Sequence, residues 1–310
     1  MTEKIFVIGH KSPDLDSVAA AISYANLKNL LEKTDRYVPA VAGEVNGETK
    51  YCLDKFEYKT PEVLGNAQNN NVIIVDHNEF SQAVDGMNEA KIIEILDHHK
   101  VDFKYSEPIA FKVLPWGASC SIIANEYFDH SLAPDKNLAG LMLAAVLVDT
   151  VITKSPTCTN KDKEIIEKLA GLAGIVNWQA FGMEVFKIRS NVSALTTEKI
   201  IKSDFKDFNL SAGKFGVGQV ETVDLSEFSG REEEILTELK RIKNEGGYHS
   251  VILFITDIIK EGSEFLVATS DEEKVSAALG QKLENGRVYV PGIISRKKQV
   301  APKFTEVFGA

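Results

Sequence analysis

Residues Lys4–Leu27 read KIFVIGHKSPDLDSVAAAISYANL, and the change of period inside this stretch decides the fold class. Ile5–Ile8 is a short uninterrupted apolar run of β character. After the polar turn, Val18, Ala21, Ile22 and Ala25 recur at i, i+3, i+4 and i+7, the stripe of an amphipathic helix. The same alternation continues downstream. Strands are expected at Tyr37–Val41, Val72–Val75 and Ile92–Leu96, and helices at Ser119–Phe128, Leu138–Val148, Asp162–Ala173 and Trp178–Lys187. Alternating β and α elements argue for a mostly parallel sheet with helices on both faces.

Near Ile188–Ala194 the pattern lapses into the polar stretch IRSNVSA, read as a linker. A second α/β unit follows, with helices expected at Thr196–Phe205, Glu232–Lys243 and Glu273–Leu283. Its strand-like runs are Phe215–Val223, Val251–Thr256, Phe265–Thr269 and Arg287–Val290. At 310 residues the chain is long for one hydrophobic core. The expected architecture is therefore α/β in two domains. Residues 1–189 form a mostly parallel sheet flanked by helices, and 195–310 a smaller α/β domain with a mixed sheet.

A net charge of −10 argues against a broad nucleic-acid or anionic-membrane surface, because both partners need a basic face. The longest apolar run, around Leu141–Val148, stops at Asp149 and falls short of the ~20 residues of a membrane span. Cys52, Cys120 and Cys158 are widely spaced with no CxxC pair, the usage of reduced thiols in a cytoplasmic protein. The N-terminus enters a strand without signal character. The expected compartment is the cytoplasm.

Four of the six histidines sit beside aspartates just after a strand: His10 in GHKSPDLDS, His77 in VDHNE, and His98 and His99 in LDHHK. In a parallel sheet every loop that follows a strand opens on one edge, so these clusters are expected to be neighbours there. Asp149 is the only charge in LMLAAVLVDTV, a costly setting for a carboxylate without a partner or a cation. Alone, Asp16 or Ser17 reads as a helix cap, and a strand-end Asp-His pair as a structural or solvated one. His130 and His249 lack such neighbours and read as ordinary. The recurrence at three equivalent positions favours a pair of divalent transition metals, and hence chemistry on a phosphate. Ser295–Lys303 adds four cations and no acid in an acidic chain. By itself it is a solvated basic turn. Beside a metal site it is a clamp for phosphoryl oxygens.

The order GHKSPDLDS, DHN, DHH, an isolated Asp before KSPTCT, and SRKKQ near the end resembles the manganese-dependent, family II inorganic pyrophosphatases of the DHH phosphoesterase superfamily. The first motif with DHH marks only the superfamily; SRKKQ specifies the pyrophosphatase branch. The resemblance implies metal ligands at His10, Asp14, Asp16, Asp76, His98 and Asp149. One ion takes His10, Asp14 and Asp76, and the other Asp16, Asp76, His98 and Asp149. It implies catalytic and substrate contacts at His99, Lys206, Arg296 and Lys297. It further implies a DHH metal-binding catalytic domain at 1–189, a DHHA2-type substrate-binding domain at 195–310, and an active site in the cleft between them. Members hydrolyse pyrophosphate to two phosphates by attack of a hydroxide shared between the ions. The expected cofactors are two Mn²⁺ per subunit, with Co²⁺ possible and Mg²⁺ arriving with the substrate. The expected assembly is a homodimer through the N-terminal domain. Asp97 and His77 are read as outer partners of the ligands. Ser12 and Leu15 replace the Asn and Thr common in the first motif, with the ligand types intact. There is no room for a nucleotide-binding regulatory insert, so no adenylate control is expected.

The alternative activity is that of a DHH-type phosphodiesterase or exonuclease on short oligonucleotides. Such relatives carry a GGGH-type segment, which GKFGVG and EGGYH do not match. A third reading is a metal-binding protein without catalysis; against it, every ligand position is occupied.

Overall fold

The structure is a computed structural model that describes residues 3–189, 195–202 and 204–309. It divides into two compact units, Met1–Arg189 and Ser190–Ala310. The first contains β1 (Ile5–Ile8), α1 (Leu15–Glu32), β2 (Tyr37–Val41), α2 (Gly47–Lys55), β3 (Glu62–Val63), β4 (Asn71–Val75), β5 (Lys91–Asp97), β6 (Ala110–Val113), α3 (Ser119–Asp129), α4 (Lys136–Asp149), α5 (Asn160–Ala173) and α6 (Trp178–Arg189). Its six strands are all parallel in the order 3-2-1-4-5-6.

Because successive strand residues point to opposite faces, β1 and β4 feed two cores. Ile5, Val7, Ile73 and Val75 pack under the helices, while Ile8, Val72 and Ile74 face the other way. Helices expected on both faces are a point of correction. Residues of α1–α6 all join the first core, and the second is closed by loops and two 3₁₀ turns, Phe80–Gln82 and Met87–Glu89. The connections from β4 to β5 and from β5 to β6 carry no long apolar stripe at helical spacing, so no α-helix forms there to cover that face.

The turn from β1 into α1 is tight. A Cβ on Gly9 would lie 1.9 Å from Ser17 Oγ and 2.9 Å from Ser17 Cβ. Only a glycine lets the loop pass this close to the first turn of α1, and that closeness brings His10 against Asp14.

The second unit contains α7 (Thr197–Lys202), β7 (Phe205–Leu210), β8 (Gly213–Thr222), α8 (Glu232–Glu245), β9 (Ser250–Asp257), β10 (Gly262–Thr269), α9 (Glu272–Leu279), β11 (Arg287–Pro291) and α10 (Ala301–Phe308). Its sheet runs 11-10-9-8-7 and is mixed, with β8–β9 parallel and the other pairs antiparallel. The helix expected at Thr196–Phe205 ends at Lys202, because Phe205, Phe208 and Leu210 belong to β7, hairpinned onto β8. Lys206 is thus a strand residue. The helix expected to reach Leu283 stops at Leu279, where Gly280 takes the left-handed conformation with φ +70°. Within the expected linker, Ile188 and Arg189 end α6, and 190–194 lie outside the described residues.

Gly9→Ala is expected to destabilise the chain by about 1–3 kcal/mol, the usual range for overpacking a tight site. Urea unfolding of the variant checks this; an unchanged midpoint would contradict the close approach.

Candidate metal centre

The strand order of the first sheet reverses between β1 and β4, so the crevice beyond their carboxyl ends is the natural ligand site. His10 lies two residues past β1, Asp76 directly past β4, and His98 directly past β5. Asp76 holds a left-handed backbone (φ +61°), unusual for a residue with a Cβ and a mark of a functional turn. Asp14 is the N-cap of α1, accepting from Ser17 N at 3.0 Å, and Asp16 lies in the first turn. Asp149 is the last residue of α4. Beyond it Val151, Ile152 and Thr153 run through a left-handed turn (φ 50°, 50° and 68°) that ends the helix at the site.

These side chains converge. His10 Nε2 lies 3.5 Å from both Asp14 Oδ1 and Asp76 Oδ2. His98 Nε2 lies 3.4 Å from Asp76 Oδ1 and 3.6 Å from Asp149 Oδ2. Donor atoms of His10, Asp14 and Asp76 all fall within 4.8 Å of one another, as do those of Asp16, Asp76, His98 and Asp149. Asp76, 1% exposed, belongs to both sets.

Backbone groups orient the donors. The segment Trp116–Cys120 straps the centre from one side. Asp16 receives Ser119 N at 2.6 Å and Cys120 N at 3.0 Å. It so satisfies the first N–H groups of α3, whose own N-cap, Ala118, has no side-chain acceptor. Ser119 Oγ donates to Asp76 Oδ1 at 2.9 Å, and His98 Nδ1 donates to Trp116 O at 3.1 Å. That last bond leaves the buried Nε2 of His98 with its lone pair among carboxylate oxygens and no hydrogen-bond partner among the described residues. Lone pair facing carboxylate is repulsive, so a positive species belongs between them, either a proton or a cation. Imidazole with carboxylates is the donor set of a divalent transition metal. The residues therefore fit such an ion.

Around this centre, Asp97 Oδ1 accepts from the backbone N–H of His98 (2.7 Å) and of His99 (3.2 Å) and from His99 Nδ1 (2.9 Å). Its other oxygen accepts from Asn78 at 2.6 Å. His77 donates Nδ1 to Val75 O at 3.0 Å and is buried. A cavity of about 180 Å³ opens beside His10, Asp76, His77, Glu79, His99 and Lys100.

Electrostatics follows the geometry. Burial works against charge on His10 and His98, but the carboxylates around them outweigh it and lift both to about 10. Burial and the Asp76 charge raise Asp16 to about 7, and lost hydration with the charges of Asp16 and Asp76 holds Asp149 well above the usual carboxylate range. Asp76 is buried too, yet His10 and His98 drive it below that range. Asp97 raises the half-exposed His99, while burial lowers His77.

In the second unit, Arg296 opens a short π-helix, Arg296–Val300, and is 7% exposed. Its guanidinium donates to the Asp204 carboxylate at 2.7 Å, to the Asp204 carbonyl, and to Val217 O at 3.3 Å. Lys206 is exposed on β7. The Lys297 side chain lies outside the described residues. The groups that sequence reasoning missed are Asn78 and the strap, Trp116–Cys120. The strap acts mainly through main-chain atoms, which leave no mark in residue type beyond the Gly117 turn before a helix.

Two family profiles match the chain: "DHH family, N-terminal domain" over residues 4–146 and "DHHA2 domain" over 183–307. A manganese-dependent inorganic pyrophosphatase of Methanothrix thermoacetophila is 46% identical over 99% of both chains. One of Bacillus subtilis is 36% identical over 98% of both. A crystal structure from Methanococcus jannaschii, named for the family II inorganic pyrophosphatases, superposes with a TM-score of 0.65 at 41% identity, covering 99% of this chain and 100% of that one.

Metal can bind only after these donors shed their protons. Since His10 and His98 hold theirs up to about pH 10, Mn²⁺ affinity is expected to rise from pH 6 to pH 9, with protons released on binding. Calorimetry in buffers of different ionisation heat checks the sign; a pH-independent affinity would contradict it. His98→Gln should weaken Mn²⁺ by more than the roughly 10–100-fold typical of losing an outer-shell partner.

Proposed function

We infer that this chain, which belongs to the manganese-dependent inorganic pyrophosphatase family, is a hydrolase that converts pyrophosphate to two phosphates with manganese as its cofactor. The observation that carries the reading is likeness over nearly the full length, at 46% identity, to a relative named for that activity.

Within that reading we assign two Mn²⁺ per chain. One is held by His10, Asp14 and Asp76, and the other by Asp16, Asp76, His98 and Asp149, so that Asp76 is shared. Co²⁺ would substitute, and Mg²⁺ would accompany the substrate. When bound, the ions supply a lowered pKa for water and positive charge for phosphoryl oxygens. The chain's own groups do the remaining work. Residues 1–189 carry the catalytic metal-holding part, and 195–310 the substrate-binding part. Asp97 holds His99 by Nδ1, which turns Nε2 outward; with its pKa raised, that ring keeps a proton to give to the departing phosphate. Lys206, Arg296 and Lys297 neutralise phosphoryl oxygens as charge redistributes in the transition state. Three hydrogen bonds within its own unit fix the plane of the Arg296 guanidinium, so its ordering is settled before substrate arrives. We further propose a homodimer paired through the N-terminal part, working in the cytoplasm on pyrophosphate and not on nucleic acid.

Chelator-stripped protein given back Mn²⁺ or Co²⁺ is expected to release phosphate from pyrophosphate and to leave a dinucleotide intact; preferential dinucleotide cleavage would overturn the assignment. Arg296→Ala should retain Mn²⁺ content and lower turnover on the order of 10²-fold, as for other lost transition-state donors. Unaltered turnover would remove Arg296 from the substrate contacts.

A further inference from the structure

Asp162 lies outside the metal-holding set, and its place in the sequence explains it as a helix cap. Thr159 and Asp162 form a capping box at the start of α5, with Thr159 accepting from Asp162 N and Asp162 Oδ2 accepting from Thr159 N at 2.7 Å. Two features exceed a cap. Asp162 is fully buried, at 0% exposure, and its Oδ1 has no hydrogen-bond partner among the described residues, whereas a cap works as well at the surface. Second, the capping oxygen Oδ2 also accepts from Gly117 N at 2.9 Å, across 45 residues of sequence.

Gly117 is the pivot of the strap. The carbonyl just before it, Trp116 O, orients His98, and the amides just after it, Ser119 N and Cys120 N, bind both oxygens of Asp16. Ser119 Oγ reaches Asp76. The fit at the pivot is close: a Cβ on Gly117 would lie 2.6 Å from Thr150 Cγ2 and 3.1 Å from Asp162 Oδ2. Gly117 thus packs against both the residue that follows Asp149 and the buried carboxylate, with its N–H bond to Asp162 fixing its position.

We propose that Asp162 is a positioning residue for the metal centre. Through its bond to Gly117 N it holds the Trp116–Cys120 strap at the depth where His98, Asp16 and Asp76 are oriented to take an ion. The inference rests on reading those three residues as metal holders. It separates the two duties of one carboxylate: bonds to Thr159 keep the helix, and the bond to Gly117 keeps the centre.

The test is a Mn²⁺ titration of chelator-stripped full-length chain, by calorimetry and by the electron paramagnetic resonance of free Mn²⁺. Asp162→Ala is expected to weaken Mn²⁺ about 10–100-fold, the scale of a lost outer-shell partner. Thr159→Ala, which removes the cap hydroxyl and spares the Gly117 bond, should lower the melting temperature while keeping Mn²⁺ affinity within twofold. Asp162→Asn keeps an acceptor oxygen and should recover most of the affinity. If Asp162→Ala fails to fold, Asp162→Asn decides: its weaker neutral acceptor should cost about fivefold in affinity, and wild-type affinity overturns the proposal. Wild-type affinity in a folded Asp162→Ala overturns it equally, as does a Thr159→Ala loss as large as that of Asp162→Ala. Failure of the unaltered chain to take up Mn²⁺ would instead overturn the metal reading itself.

Discussion

Asp16, Asp76 and Asp149 bring carboxylates within a few ångströms of one another at the carboxyl edge of a parallel sheet, with Asp16 and Asp76 buried and Asp149 partly so. Like charges at that spacing repel strongly in a medium of low dielectric. Only positive charge in their midst makes the arrangement tolerable, and much of the first unit is built around that requirement. His10 and His98 hold protons far above the usual histidine range because they stand where a cation belongs. The amides at the start of α3 turn toward Asp16 for the same reason.

This requirement links fold to chemistry. A parallel sheet sends the carboxyl ends of all its strands to one side, and reversal of strand order between β1 and β4 opens a crevice there. The tight Gly9 turn, the left-handed Asp76 and the left-handed run after Asp149 are unfavourable local choices tolerated where donors must be aimed. Family membership gives the arrangement its meaning. A cluster whose donors fit divalent cations, and a basic segment at Ser295–Lys303 in an otherwise acidic chain, suit a small, highly charged anion such as pyrophosphate, whose hydrolysis depends on charge neutralisation far more than on covalent assistance.

Legibility from sequence was uneven, for identifiable reasons. Periodicity found the long elements, such as α1 and α4, because their apolar residues are many and regular. It overran α9 because Gly280, not loss of hydrophobicity, ends that helix. It turned Phe205 into helix because tertiary pairing with β8 overrode a short local pattern. It placed helices on a face that loops cover, since which side a connection takes is set by the whole sheet.

The sequence by itself determined the donor inventory: histidines and aspartates at strand ends, one carboxylate in an apolar helix, and a basic segment far downstream. Side-chain chemistry and strand ends are local properties, legible one residue at a time. Only the tertiary structure decided how those donors are held. Trp116 O, the amides of Gly117, Ser119 and Cys120, and the buried carboxylate of Asp162 are groups that nearly any sequence could contain, and they matter here because of the distances at which folding sets them.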